Sequence, residues 1–251
     1  MTATVSDALR KRVITAVVLA AAALAILLGL PPPATVILVT AVLLAGAWEW
    51  SAFLRLRTTA LRVGYVLLIM LLLYAVWRLC ATPEAGQVVL GVALLWWLAA
   101  LVWIAFAPQR VATWSAALAG VLALVPAWFA LVRLRYAPQQ GAEWVVFALV
   151  LVWVADIGAF FCGRRFGRVR LAPVVSPAKT WEGVLGAMAV SAVVAVLGGL
   201  WFHLPLAVFL PLCLVAVAFS IVGDLTESLL KRFAGVKDSG TVFPEIGRAH
   251  V

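Results

Sequence analysis

Residues 205–244 read PLAVFLPLCLVAVAFSIVGDLTESLLKRFAGVKDSGTVFP. The stretch opens as an apolar run over 205–230, long enough to cross a bilayer, and closes in charge. Asp224, Glu227, Lys231, Arg232, Lys237 and Asp238 fall within about fifteen positions. Charge is expensive in lipid, so such a cluster at the end of an apolar run marks a functional site. Asp224, Glu227, Ser228 and Lys231 are spaced i, i+3, i+4, i+7, which places them on one face of a helix. The same spacing also allows a plainer reading, a helix end closed by a Glu227–Lys231 pair.

The rest of the chain explains why charge here stands out. Of 251 residues, 66% are hydrophobic and only 12% are charged, and 12 are Trp. The mean hydropathy is +1.15. A soluble domain is roughly half apolar and a quarter charged, so the chain is an all-α, polytopic integral membrane protein. Apolar runs near 13–30, 34–54, 63–81, 88–107, 113–132, 143–162, 183–202 and 205–230 predict eight membrane helices. No soluble segment separates them, and residues 1–244 are one transmembrane domain. The first run follows Arg10-Lys11-Arg12 as in a signal peptide, but Pro31-Pro32-Pro33 stands where a cleavage site would lie. It is therefore expected to be a retained helix.

The net charge of +9 points to loops and phosphate ligands rather than nucleic acid. With the N-terminus inside, sixteen Lys and Arg fall in inside loops. Only Arg78, Arg133 and Arg135 fall outside. This bias puts the polar clusters at the cytoplasmic face of the inner (cell) membrane. Cys80, Cys162 and Cys213 have no paired spacing, which argues against disulfides and a thiolate metal site. The first half carries little chemistry. Glu49, between Trp48 and Trp50, reads as an interfacial acid between aromatic anchors.

Three stretches carry chemistry. In ADIGAFFCGRRFGRVR (155–170), Asp156 sits inside an apolar span ahead of a basic loop. Arg164 and its neighbours offer fork-shaped donors suited to phosphate, or neutralise Asp156 for structure alone. Gly163 and Gly167 would let a ligand approach the backbone. In PVVSPAKTWEG (173–183), Ser176-Pro177 predicts a helix start, with Lys179 and Thr180 in a first turn whose free N–H groups suit an anion. An ordinary capped helix with a snorkelling Lys is the alternative. In the third stretch Asp224 is the best candidate ligand for a hard cation such as Mg²⁺, which takes one or two carboxylates plus substrate phosphates. Lys231, Arg232 and Lys237 would neutralise phosphate oxygens. Together these residues suit Mg²⁺-dependent chemistry on a nucleoside triphosphate. When the nucleophile is itself a phosphate, no general base is needed, which fits a site without His or Cys.

The ordered set Asp156, Gly163-Arg164, Phe166-Gly167, Ser176 to Gly183, Gly223-Asp224-Leu225, Glu227-Ser228, Lys231-Arg232 and Lys237-Asp238-Ser239 resembles the bacterial phosphatidate cytidylyltransferase (CDP-diacylglycerol synthase) family. The match covers 150–244 and is specific, because many polar positions agree at fixed spacing. The resemblance implies transfer from CTP to phosphatidate, giving CDP-diacylglycerol and pyrophosphate. It makes Asp224 a metal ligand and implies a homodimer. A second metal or a monovalent cation beside Mg²⁺ is a further expectation. Lys179, Asp224, Lys231, Arg232, Lys237 and Asp238 are the expected catalytic set. Asp156, Arg164, Ser176, Thr180, Glu182, Glu227, Ser228 and Ser239 are the expected substrate-binding set.

The family pattern continues after Pro244 with a His-Gly-Gly and Asp-Arg-x-Asp segment and a ninth helix. Here the chain reads EIGRAHV over 245–251, with Val251 where the first Asp, the expected partner of Asp224 at the metal, would fall, so that this second metal carboxylate is absent from the chain. These seven residues correspond to a translated sequencing-library adapter, so the expectation is a truncated copy with a non-native tail and little activity. Two other classes compete. A transporter would place polar residues at the midplane of several spans; here they gather at one face. A lipid or polyprenol kinase would transfer the γ-phosphoryl group and leave a nucleoside diphosphate.

Overall fold

The computed structural model describes residues 21–80 and 82–236. Its elements are helices α1 (residues 21–29), α2 (Pro32–Phe53), α3 (Thr59–Leu79), α4 (Pro83–Phe106), α5 (Thr113–Arg135) and α6 (Gly141–Phe166). Strands β1 (Arg170–Ala172) and β2 (Ser176–Thr180) follow, then helices α7 (Trp181–Trp201) and α8 (Leu206–Ala234). The seven helices α2 to α8 are long and apolar enough to cross a membrane. The all-α polytopic fold is therefore as expected, and each span from the second onward has its helix. The first span lies only partly within the described residues. Lys237, Asp238, Ser239 and the 245–251 tail lie outside them.

Local chemistry sets the helix starts. Pro32 and Pro83 occupy the first turns of α2 and α4, where a missing N–H costs nothing. Thr58 and Thr82 cap α3 and α4, their hydroxyls accepting from Leu61 N at 3.4 Å and Ala85 N at 3.3 Å. At the other end of the chain, α8 runs to Ala234 instead of stopping at 230. Gly235 then turns left-handed at φ 72°. Its N–H reaches Arg232 O and that of Val236 reaches Lys231 O, both at 3.1 Å. This paired closure is a common glycine helix stop. It leaves Lys231 and Arg232 on the helix itself.

Three apolar clusters hold the bundle. The first joins α2, α3 and α5 through Phe53, Tyr65, Ile69, Trp128 and Phe129. The second joins α6, α7 and α8 through Leu151, Ala155, Ala187, Phe209 and Val217. The third joins α4, the hairpin and α8 through Ala100, Ile104, Val175, Val222, Leu225 and Leu229. Leu230 belongs to the first cluster, so α8 contributes to all three. The helix that ends in the charge cluster is thus the one the others are packed on. Between α6 and α7 the contact is backbone to backbone. A Cβ on Gly158 would lie 2.7 Å from Gly186 O, and one on Gly186 would lie 2.4 Å from Cys162 Cβ. Small residues of this kind let membrane helices approach closely.

One expectation is corrected. Residues 176–180 are not the first turn of a helix. They form β2, paired antiparallel with β1 through Arg170–Thr180 and Ala172–Ser176. The capping role falls to Thr180, with extended backbone at φ −130°, ψ 155°, whose hydroxyl accepts from Gly183 N at 3.2 Å. Pro177 is tolerated because a two-stranded ribbon has an open edge that needs no N–H from it. Glu49, near the C-terminal end of α2, is 7% exposed and so packed within the protein at that end of the span. Beside it the Trp48 ring carries the Arg62 guanidinium at 4.2 Å.

Candidate active site

The hairpin is the device that builds the site. It leaves α6 at Gly167, turns through 173–175 and enters α7 at Trp181. Val169 locks its base, accepting from Trp181 N at 3.0 Å and donating to both Glu182 carboxylate oxygens at 3.2 and 3.3 Å. Arg170 donates to Pro177 O across the ribbon. Val175, at the tip, is buried in the cluster shared with α4 and α8. Its carbonyl accepts from Nε of Arg232. The hairpin is therefore pinned at its base to α7 and at its tip to the end of α8.

Pinned this way, β2 lays Lys179 on Asp224. The two side chains form an ion pair, 24% and 55% exposed. One turn further on, Glu227 and Lys231 pair at 2.9 Å. Asp156 on α6 lies within Coulombic reach of both Asp224 and Lys179. The hairpin and α8 thus meet at a lysine and a carboxylate, with Asp156 of α6 near enough to feel their charge. Beside them Val175, Ser176, Ser228, Lys231, Arg232 and Gly235 line a pocket of about 390 Å³. That volume is within the range of small-molecule sites. Its polar walls are two hydroxyls and two cations, which are phosphate-binding groups.

Not every expected residue points into this pocket. Thr180 is buried, and its hydroxyl caps α7. Gly163 and Gly167 make room for Thr180. A Cβ on Gly163 would lie 3.2 Å from Thr180 Oγ1, and one on Gly167 would lie 2.9 Å from Thr180 Cγ2. Glu182 is held by the Val169 amide. Arg164 stands in the last turn of α6, its guanidinium 6.0 Å from the Phe160 ring. Among the described residues no ion pair joins Asp156 to Arg164 or Arg165.

Sequence reasoning misses the Val175 carbonyl, because a backbone acceptor leaves no mark in the residue string.

The donor set can be tested against a hard cation. Among the described residues no group of three or more His, Cys, Asp and Glu gathers as an all-protein cage. Asp224 beside a phosphate-suited pocket instead fits Mg²⁺, which takes one or two carboxylates and lets substrate oxygens complete its shell.

The similarity to known proteins agrees with this chemistry. Residues 10–247 match the Cytidylyltransferase family. The chain is 39% identical over 246 residues to the phosphatidate cytidylyltransferase of Pseudomonas aeruginosa, taking in 95% of this chain and 89% of that protein. It is 34% identical over 269 aligned positions to the protein of the same name in Haemophilus influenzae, with 95% and 91% covered. A Bacillus subtilis phosphatidate cytidylyltransferase matches a shorter part, 37% identical over 119 residues, 46% of this chain and 44% of that protein. With a family match across most of its length and two relatives covered almost end to end, the chain belongs to the cytidylyltransferase family.

Proposed function

We propose that this chain is a membrane enzyme that transfers the cytidylyl group of CTP to the phosphate of phosphatidate. A phosphate oxygen of the lipid attacks the α-phosphorus of CTP. The new O–P bond forms as the bond from the α-phosphorus to the β-phosphate oxygen breaks. Pyrophosphate leaves with the electron pair, and the lipid becomes CDP-diacylglycerol. The observation that carries this reading is the Lys179–Asp224 pair, which unites the chain's two most distinctive polar stretches. The names of the relatives supply the substrate class.

The residues divide the work by charge. Lys179, Lys231 and Arg232 neutralise phosphate oxygens, and Ser176 and Ser228 donate hydroxyl hydrogen bonds to them. Lys237 and Asp238, with Ser239, extend the set beyond Val236. Asp224 is the group that would hold Mg²⁺, which when bound supplies positive charge to the triphosphate, and Asp156 stands with the substrate-binding groups near it. Phosphoryl-type transfer relies chiefly on such positioning and charge stabilisation. Glu227 holds Lys231 in place, while Thr180 and Glu182 fix the hairpin. The site faces the cytoplasm across the inner membrane, where CTP is found, and the enzyme works as a homodimer.

The test is reconstitution in mixed micelles of detergent and phosphatidate, run on the 251-residue chain and on a form in which the family's His-Gly-Gly and Asp-Arg-x-Asp segment and final helix follow Pro244, the form in which turnover is read. CDP-diacylglycerol and pyrophosphate should form in equal amounts, with CTP and Mg²⁺ both required. Release of a nucleoside diphosphate with no nucleotide on the lipid would assign a kinase instead.

A further inference from the structure

The last turn of a helix leaves carbonyls that need partners. In α8, Gly235 and Val236 satisfy those of Arg232 and Lys231. The next carbonyl, that of Phe233, accepts a hydrogen bond from Nη2 of Arg55, 178 residues away in sequence. The same guanidinium lies 4.4 Å from the centre of the Phe233 ring. Arg55 belongs to the turn between α2 and α3, in the half of the chain that carries no polar motif. Its backbone sits at φ 51°, a region that residues other than glycine seldom occupy. Such a conformation persists only where its surroundings fix it. Here Phe53 and Leu54 are each 2% exposed, and they share a buried cluster with Leu230 and Phe233.

The other side of the same turn is held as well, because Arg232 donates to Val175 O at the hairpin tip. Two arginines therefore clamp the end of α8, one from the hairpin side and one from the α2–α3 turn. Ser228, Lys231 and Arg232, which line the pocket, lie on the turns of α8 that end in these two grips.

We propose that Arg55 is a positioning residue for the nucleotide site: it fixes the last turn of α8, and with it the Lys231 and Arg232 wall, against the hairpin. This rests on the nucleotide reading above. Arg55 touches no reacting group and acts only through Phe233. Arginine suits the task because one planar group can both donate to the carbonyl and lie over the ring.

Arg62 provides the control. It stands at the start of α3 beside the same corner, donates to Ser51 Oγ at 2.8 Å and to Trp48 O at 3.0 Å, and so ties α3 to α2. The experiment compares the unsubstituted chain with Arg55→Ala, Arg55→Lys and Arg62→Ala in detergent. Three quantities are measured: amide hydrogen exchange over residues 229–236, affinity for CTP with Mg²⁺ by calorimetry, and melting temperature. Arg55→Ala should speed exchange at the end of α8 and weaken CTP binding, each by about tenfold, the order expected for losing one charge-assisted hydrogen bond. Arg55→Lys, which keeps a charged donor, should restore most of both. Arg62→Ala should lower the melting temperature and leave CTP affinity unchanged. If Arg55→Ala does not accumulate, Arg55→Gln takes its place with the same expectation. Unchanged exchange at the end of α8 in the Arg55 variant overturns the proposal, as does an equal loss of CTP affinity in Arg62→Ala. If the unsubstituted chain does not bind CTP, the nucleotide reading falls, and the exchange measurement still decides whether Arg55 fixes α8.

Discussion

Lys179 on β2 and Asp224 on α8 are joined as an ion pair across 45 residues of sequence. A lysine on a hairpin and an acid on a membrane helix meet only because the hairpin is tied at both ends. Val169 fastens its base to α7, and Arg232 fastens its tip through Val175. The pair is half open to solvent on the Asp224 side, so its worth to stability is small. Its value lies in holding opposite charges where a cation and a phosphate chain would both be needed.

The first prediction concerns this pair. Lys179→Ala and Asp224→Asn should each lower kcat/KM for CTP by about a hundredfold to a thousandfold, the scale for removing one group that stabilises transition-state charge. Because the two act together, the double substitution should cost little more than either alone. CDP-diacylglycerol formation by the four forms, each with the family's segment following Pro244 and corrected for protein amount, checks this. Fully multiplicative losses would mean that the two residues act independently.

Asp156 gives the second. Placed on α6 within Coulombic reach of Asp224 and Lys179, it is expected to add negative charge beside the divalent cation that Asp224 holds. Asp156→Asn should raise the Mg²⁺ concentration needed for half-maximal activity by about tenfold, in the range seen when groups around a metal are altered. A Mg²⁺ titration of the same extended form reads it directly. An unchanged Mg²⁺ requirement with reduced maximal rate would assign Asp156 to orienting Lys179 alone.

Thr180 separates structure from binding. Its hydroxyl caps α7 and its methyl lies against Gly167. Thr180→Val keeps the shape and removes the cap, and should cost about 1 kcal/mol of stability. Thr180→Ser should keep the cap. In both, KM for CTP should stay within about twofold, less than 1 kcal/mol of binding. A large rise in KM for Thr180→Val with stability intact would return Thr180 to the binding set.

The α6–α7 contact supplies the fourth. Gly158 and Gly186 bring the two backbones together with no room for a Cβ. Gly158→Leu should destabilise the fold by about 1–3 kcal/mol or prevent its accumulation. Gly64 is a matched control, because nothing lies within 4 Å of a Cβ there. Thermal unfolding in detergent of Gly158→Leu and Gly64→Leu makes the comparison.

These predictions draw unequally on the sequence. The bundle was legible because a membrane span is written as length and hydropathy, and each described span from 32 onward has its helix. The polar face of α8 was legible for the same reason, since a spacing of three and four residues survives any packing. The hairpin was not. β1 has three residues and β2 five, one of them proline. They show no alternation, and Ser-Pro ahead of a lysine reads equally well as a helix start. What decided the matter was tertiary: Val169 captures the Trp181 and Glu182 groups that a longer helix would have used internally. The two glycines before the hairpin were legible as places of close approach, but the sequence could not say that the approaching group is Thr180. Arg55 was illegible for a related reason. Its partners are a carbonyl and a ring 178 residues away, and neither announces itself in the string.

The central claim is that this site moves the cytidylyl group and no other part of the nucleotide. The most direct measurement gives the purified protein, with the family's segment following Pro244, phosphatidate, Mg²⁺ and CTP labelled at either the α- or the γ-phosphorus, and follows label into the lipid fraction. The account predicts that α-label enters the lipid, γ-label leaves as pyrophosphate, and Asp224→Asn slows both by about a hundredfold to a thousandfold. Lipid carrying γ-label without α-label would contradict it.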